Sequence, residues 1–248
     1  MIKRFNRFEL KYIISVEKAE RIIHDVLEKA LPDPHGGVDG YLISSLYYDN
    51  DDLDFFWDKI EGIKYRRKIR IRVYPEDNFE NIKSGIVEIK QRINRTVQKR
   101  RLKLDLKDAY KLCSSDFDYS KLDKLDKEVA SEIDYLVKVK DLQPSCIIKY
   151  HRKAFMGDIY NPGLRITFDT DLRYRINNFK LDRNDEGYLF LPENYCIMEV
   201  KVNDVIPDWV TSIVSKHNCQ IQRISKYCAG LTVANKIPVL TSANSAYI

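Results

Sequence analysis

Lys64-Tyr-Arg-Arg-Lys-Ile-Arg-Ile-Arg-Val-Tyr74 decides how the chain is read. From Lys68 onward, charged and apolar residues alternate. Period two puts Lys68, Arg70 and Arg72 on one face of a strand and Ile69, Ile71 and Val73 on the other. Residues 85–93 repeat the pattern after the turn-like Ser84-Gly85, with Glu88, Lys90 and Arg92 set against Val87, Ile89 and Ile93. Residues 5–14 carry Glu9 and Lys11 in the same way, and residues 195–203 carry Glu199 and Lys201. Residues 164–176 carry the longest ladder: Arg165, Thr167, Asp169, Asp171, Arg173 and Arg175. One such strand reads as a half-buried sheet with its charges in water. Five together allow a second solution, a barrel whose apolar outside is covered by helices and whose charges point into a lumen.

Such a lumen needs a counter-charge. Like charges about 5–6 Å apart repel by roughly 3 kcal/mol at an effective dielectric near 20. A polyanion offsets this, because Arg grips phosphate oxygens bidentately and Lys acts as a point charge. Glu88 and Glu199 each lie two residues from a lysine and are candidate ligands for a divalent metal. The plain alternative for each is a salt bridge to that lysine.

The aromatic-rich helix and the two C-terminal helices are expected to supply the cover. Ser15 reads as the N-cap of a helix over 16–30, and a short aromatic helix follows at 51–60. Residues 41–48, 96–104 and 145–155 read as strands. Residues 106–141 read as helical with a break near Ser114-Ser115, and two helices are predicted at 208–217 and 224–235. Among 248 residues, 44% are hydrophobic and 32% charged, which excludes a disordered chain. No apolar run approaches a membrane span, and the charged start predicts no signal peptide. Five scattered cysteines predict buried thiols in a reducing, cytoplasmic setting, without disulfides or a zinc cage. Residues 64–103 hold fourteen Lys/Arg against four Asp/Glu, within a chain of net charge +5. A basic block in an otherwise acidic chain points to an anionic partner. A single domain over 1–240 is expected, with 241–248 as a loose tail.

The order of these pieces resembles the VTC-type polyphosphate polymerase domain, a branch of the triphosphate tunnel metalloenzyme (CYTH-like) superfamily. The matching residues are Phe8-Glu9-Leu10-Lys11-Tyr12, Ser45-Leu46-Tyr47-Tyr48-Asp49, Lys68-Ile69-Arg70-Ile71-Arg72 and Glu88-Ile89-Lys90-Gln91-Arg92. They continue with Lys99-Arg100-Arg101, Tyr150-His151-Arg152-Lys153-Ala154, Arg165-Ile166-Thr167-Phe168-Asp169, Met198-Glu199-Val200-Lys201 and Ser225-Lys226-Tyr227. The resemblance implies an α+β fold, a closed eight-stranded antiparallel β-barrel flanked by helices, with ATP, triphosphate and inorganic polyphosphate as partners. It implies that Lys11, Arg70, Arg72, Lys90, Arg152, Arg165, Lys201 and Lys226 grip phosphates and that Ser225 donates a hydrogen bond. Glu199, with Glu88 as the second candidate, would hold Mn²⁺ or Mg²⁺.

Two departures qualify the match. The superfamily's first-strand Glu-x-Glu-x-Lys stands here as Arg7-x-Glu9-x-Lys11, which leans toward the polymerase branch. The phosphate-sensing domain and membrane helices of eukaryotic relatives have no counterpart in this sequence. A triphosphatase of the same fold and a non-catalytic polyanion-binding module are the alternatives. Nucleic acid is not expected, because the basic block's charges alternate within strands and only Tyr65 and Tyr74 in its first strand could stack bases. His151 is read as facing outward. No Walker loop or dinucleotide glycine fingerprint is present.

Overall fold

A computed structural model describes residues 7–75, 79–94, 96–203 and 205–235. The expected tail at 241–248 lies outside the described residues. The chain runs β1 (Arg7–Ser15), α1 (Val16–Leu27), β2 (Ala30–Pro32), β3 (Tyr41–Asp49), α2 (Asp54–Ile60) and β4 (Tyr65–Val73). It continues with β5 (Ser84–Ile93), β6 (Thr96–Asp105), α3 (Leu106–Leu112), α4 (Lys124–Val139), β7 (Gln143–Gly157) and β8 (Arg165–Arg175). The last elements are β9 (Tyr188–Leu189), β10 (Tyr195–Asn203), α5 (Asp208–Lys216) and α6 (Lys226–Asn235). Among the described residues, no helix is long and apolar enough to cross a membrane, and all five cysteines are free.

One antiparallel sheet takes the order β1-β10-β8-β7-β3-β4-β5-β6, with β2 beside β7 and β9 beside β8. The path has the eight strands expected of a barrel, but β1 and β6 do not pair, so the closed barrel predicted from sequence is not formed. Two features account for the open seam. The edge of β1 is already used: the Gln222 N–H donates to the Lys11 carbonyl at 2.7 Å, and Tyr12 forms a bridge with Ile221. The other edge, β6, carries Lys99, Arg100, Arg101 and Lys103 and lies largely exposed, a composition that resists edge pairing.

The sheet is nonetheless strongly curled. Lys90 on β5 feels the charges of Glu9 and Lys11 on β1, although six strand steps separate them. At about 4.8 Å per step a flat sheet would hold those strands nearly 30 Å apart.

Apolar residues on the outer face explain the helix positions. Ile69, Ile71, Val87, Ile89 and Leu102 pack under Leu106, Ala109 and Leu112 of α3 and Ala130, Ile133 and Leu136 of α4. Tyr12, Ile166, Phe168, Met198 and Val200 pack under Ala19, Ile22 and Val26 of α1 and Val210 of α5. Ser15 caps α1 as predicted, accepting from the Lys18 N–H. The helical stretch after 106 breaks more widely than expected, across 113–123, with Ser115 at φ 59°.

A third cluster lies on the concave face. Tyr227, Cys228 and Leu231 of α6 rest on Ile43, Ile148, Tyr150 and Ile197, so α6 sits inside the curl and not on the outer cover expected of it. Asp49 fixes it there. This fully buried carboxylate accepts the N–H groups of Phe55 and Phe56 at 2.9 and 3.0 Å, and the Tyr227 hydroxyl at 2.5 Å. The start of α2 and the body of α6 thereby share one anchor.

The ladder on β8 also needs correction. The β7–β8 register shifts between Lys149 and His151, and Asp171 takes φ 49°. Beyond this bulge the faces exchange. Leu172 joins the α6 cluster, while Arg173 and Arg175 pair on the far side with Asp171 and Asp185. Only Arg165, Thr167 and Asp169 of the six belong to the concave face.

Candidate functional site

Register brings the predicted residues to one face. Lys11 lies opposite Glu199, and Glu9 opposite Lys201, across β1–β10. Glu199 then faces Thr167, and Lys201 faces Arg165, on β8. Arg152 of β7 faces Asp169. On the other wall Arg70 faces Glu88, Lys68 faces Lys90, and Lys90 faces Lys99. These pairings also fix the register of residues 99–101. Arg101 reaches Glu88 at 2.6 Å, whereas Arg100 turns outward and ion-pairs with Glu132 of α4. His151 alternates with Tyr150 and Arg152 and so points away from the concave face, as read from sequence.

The two walls differ in charge balance. The wall built from β1, β10, β8 and β7 neutralises itself. Lys11 lies 3.1 Å from Glu9 and 3.3 Å from Glu199, and Lys201 lies 2.7 Å from Glu199. Arg152 donates twice to Asp169, at 2.6 and 2.7 Å, and Lys226 reaches the same carboxylate at 2.6 Å. Arg165 pairs with Asp33 at 2.6 Å and donates to the Tyr41 hydroxyl at 2.8 Å. The close approach of the preceding turn places Tyr41 here. Gly40, at φ 84°, leaves no room for a Cβ, which would sit 2.3 Å from the Arg152 carbonyl oxygen.

The wall built from β4, β5 and β6 has one acid for many bases. Glu88, 2% exposed, accepts from Arg70 at 2.5 Å and from Arg101 at 2.6 Å. Arg72 forms no ion pair among the described residues and donates to Ser45 and Tyr150. Lys68 donates to Ser225 Oγ at 3.1 Å and lies over the Tyr227 ring. Among the described residues Lys68, Lys90 and Lys99 form no ion pair.

Electrostatics follow this division. Burial opposes charge on Glu88, but Arg70, Arg72 and Arg101 outweigh it and hold the carboxyl at about 2. Burial likewise opposes charge on Glu199, which Lys201 and Lys11 hold well below the carboxylate range. Lys11 is raised, since Glu199 and Glu9 overcome its burial. Lys90 is pushed down to about 8, by burial first, with Lys11 and Arg70 adding repulsion. Lys99 falls to about 7 through burial, Lys90 and Lys201, although part of its side chain reaches solvent.

Lys90→Met therefore tests the cation excess. Below pH 8 the wild-type ammonium is charged and unpaired in the fold, which disfavours folding. The unfolded chain keeps its proton up to about 10.5, so wild-type stability should rise across that window. The variant is expected to be about 1–3 kcal/mol more stable at pH 7, an advantage that shrinks above pH 8, and to bind tripolyphosphate more weakly. Thermal melts across pH check the first part and calorimetry the second. A variant less stable at pH 7 would contradict it.

Sequence reading missed several members of the site. Tyr150 lies under both cations of the α6 end, with Arg152 at 5.2 Å and Lys226 at 5.1 Å from its ring centroid. Tyr47 takes a hydrogen bond from Arg70 at 2.9 Å and stacks on Tyr227. Both lie within family motifs, and their phase with Arg152 and Ser45 was the available signal. Thr167 is 0% exposed, and its Oγ1 has no hydrogen-bond partner among the described residues although it sits opposite Glu199. Glu9 and Glu199 both ion-pair with Lys11, so these two carboxylates share the space above it.

No cluster of three or more potential metal ligands occurs among the described residues. Two neighbouring carboxylates do fit a hard divalent ion that takes its other ligands from phosphate and water. Cations engage both oxygens of Glu88, through Arg70 and Arg101, and both of Glu199, through Lys11 and Lys201; Glu9 beside Glu199 makes that pair the better fit.

The fold and the site together are a curled antiparallel sheet whose concave face is rich in cations and carries one helix. The chain belongs to the VTC domain family, which it matches over residues 6–235. It is similar to vacuolar transporter chaperone complex subunit 4 of Schizosaccharomyces pombe, at 29% identity over 77% of this chain and 31% of that one. The subunit 4 of Trypanosoma brucei is also 29% identical, over 77% of this chain and 28% of that one. This chain thus spans less than a third of the length of these curated relatives. Among solved structures, a Pyrococcus horikoshii protein aligns with a TM-score of 0.45 at 12% identity, covering 92% of this chain and 99% of its own.

Proposed function

We propose that this chain is a metal-dependent polyphosphate polymerase that transfers the γ-phosphate of ATP to a growing inorganic polyphosphate chain. The observation that carries this reading is the asymmetry of the hollow: a wall whose cations outnumber its acid Glu88, with Lys68, Lys90 and Lys99 in no ion pair among the described residues, faces a wall that holds its own carboxylates. Family membership and the two subunit 4 relatives support it.

In this reading Arg70, Arg72 and Lys90 bind the triphosphate along β4 and β5. Arg152, Arg165, Lys201 and Lys226 face it from the other wall, and Ser225 steadies Lys68 at the start of α6. A terminal oxygen of the polymer attacks the γ-phosphorus, the bond to the β-phosphate oxygen breaks, and ADP leaves carrying that electron pair. The attacking oxygen is already ionised, so no general base is required; positioning and charge neutralisation carry the step. Glu199, with Glu9 beside it, would hold Mn²⁺ or Mg²⁺, which neutralises charge on the phosphate oxygens. Glu88 sets the spacing of Arg70 and Arg101. A cytosolic setting goes with this proposal, since ATP and reduced thiols are found together there.

Purified protein incubated with ATP and Mn²⁺ should release ADP and form polymer resolvable on a gel in matching amount. ADP with free phosphate would establish a triphosphatase instead. Neither product, with tripolyphosphate still raising the melting temperature, would leave a binding module.

A further inference from the structure

The cations of the concave face continue past the residues assigned to the reaction. Two positions before Lys68 stands Arg66, and its register partner on β5 is Arg92. Lys59 of α2 belongs to the same group. Burial lowers its pKa, and Lys68, Arg66 and Lys11 lower it further. Arg66 is lowered by burial and then by Arg92, with Asp58 the acid that acts against this. Among the described residues none of Lys59, Arg66 and Arg92 has an ion-pair partner.

Their hydrogen bonds go to backbone carbonyls. Arg66 Nη1 donates to Ile63 at 2.8 Å, Arg92 Nε to Asn94 at 2.8 Å, and Lys59 Nζ to Arg223 at 3.5 Å. Each contact fixes a side chain without neutralising it. Directly opposed cations repel, so an uncompensated Arg66–Arg92 pair disfavours the unliganded fold. Along β4, Arg66 lies about 20 Å from Arg72 at roughly 3.3 Å per residue. Three condensed phosphates cannot span that lane.

We propose that Lys59, Arg66 and Arg92 form an outer anion subsite, which takes a polyphosphate chain as it extends beyond the phosphates held at Arg70, Arg72 and Lys90. The subsite rests on the function proposed above and adds the path of the polymer. Its chemistry is that of a repeating anion: fixed cations at strand spacing, continuous with the inner set.

The test compares tripolyphosphate with long-chain sodium polyphosphate, measured by calorimetry on the wild-type chain, on Arg66→Gln/Arg92→Gln and on Lys59→Gln. The long chain should bind the wild type at least ~10-fold more tightly than tripolyphosphate. The double variant should lose about 10-fold for the long chain and stay within about 2-fold for tripolyphosphate, with a salt dependence shallower by about two counterions. Lys59→Gln, on a separate element, should lose about 3-fold for the long chain alone. Equal loss for both ligands, or no loss for either, overturns the subsite. A wild type that makes polymer yet binds both lengths equally overturns the subsite alone. A wild type that binds neither ligand overturns both the subsite and the proposed function.

Discussion

Asp169→Asn is expected to destabilise the unliganded chain by about 3–5 kcal/mol, the range for removing one partner of a buried ion pair. For a chain of this size that corresponds to a fall of roughly 10 °C or more in melting temperature. Asp169 is 0% exposed and accepts from Arg152 twice and from Lys226 once. An asparagine of the same shape keeps one acceptor but turns an NH₂ toward a guanidinium or an ammonium. Two buried cations then face a donor. Burial opposes charge on Asp169, yet Arg152 and Lys226 hold its carboxyl below the usual range. Its contribution is therefore fully present above about 3.8, and is lost as pH falls through the lower folded value. The difference between wild type and variant should shrink in acid.

The same variant separates structure from ligand binding. Arg152 and Lys226 are deprived of a negative charge that a phosphate chain can supply. Tripolyphosphate should therefore raise the melting temperature of Asp169→Asn more than that of the wild type. Melts with and without the ligand check both statements. A variant within about 2 °C of the wild type would mean that the Asp169 network does not hold α6 to the sheet.

The alternating charges make most of the sheet legible from sequence alone. Lys68, Arg70 and Arg72 on β4, and Glu88 and Lys90 on β5, share a face because period two leaves no other arrangement. What period two cannot report is an extra residue. The bulge at Asp171 leaves the pattern of 164–176 intact in sequence while sending Arg173 and Arg175 to the opposite side. The expected closure failed for a related reason. Whether β1 meets β6 depends on the segment before α6, whose Gln222 N–H takes the Lys11 carbonyl. Residues 218–223, between the two predicted helices, read as an ordinary connection, and nothing in their periodicity marks a chain lying along a strand edge.

The site was legible as a set of charges and not as a division between them. Lys11, Lys201 and Lys90 look alike in sequence, each two residues from a glutamate. Folding gives Lys11 and Lys201 a shared acid in Glu199, whereas Lys90 faces Lys68 and Lys99. That distinction depends on which strands become neighbours, and β1 meets β10 only from the far end of the chain. The apolar plug was hidden too, because Tyr227, Cys228 and Leu231 read as an ordinary amphipathic face and their target, Tyr47 and Tyr150, lies within strands that also carry the polar residues of the hollow.

Glu199→Gln is the variant on which the enzymatic reading turns. Its carboxylate serves Lys11 at 3.3 Å and Lys201 at 2.7 Å, and in the proposed function it is the acid that would hold the divalent ion. ATP-dependent ADP release is expected to fall by about 10³-fold, near 4 kcal/mol of transition-state stabilisation, in line with the several kcal/mol that a metal contributes to phosphoryl transfer. Binding should move the other way. Removing a negative charge from beside Lys11, Lys201 and Arg152 leaves those cations freer for phosphate oxygens, so metal-free tripolyphosphate should bind as tightly as before or more tightly. Glu9 remains to pair with Lys11 at 3.1 Å, which limits the structural loss. This opposition of effects separates lost chemistry from a collapsed site, where activity and binding would fall together. Steady-state ADP release alongside calorimetry with tripolyphosphate reads both. Full turnover in Glu199→Gln would remove this carboxylate from the reaction. It would shift attention to Glu88, whose two oxygens would first have to release Arg70 and Arg101.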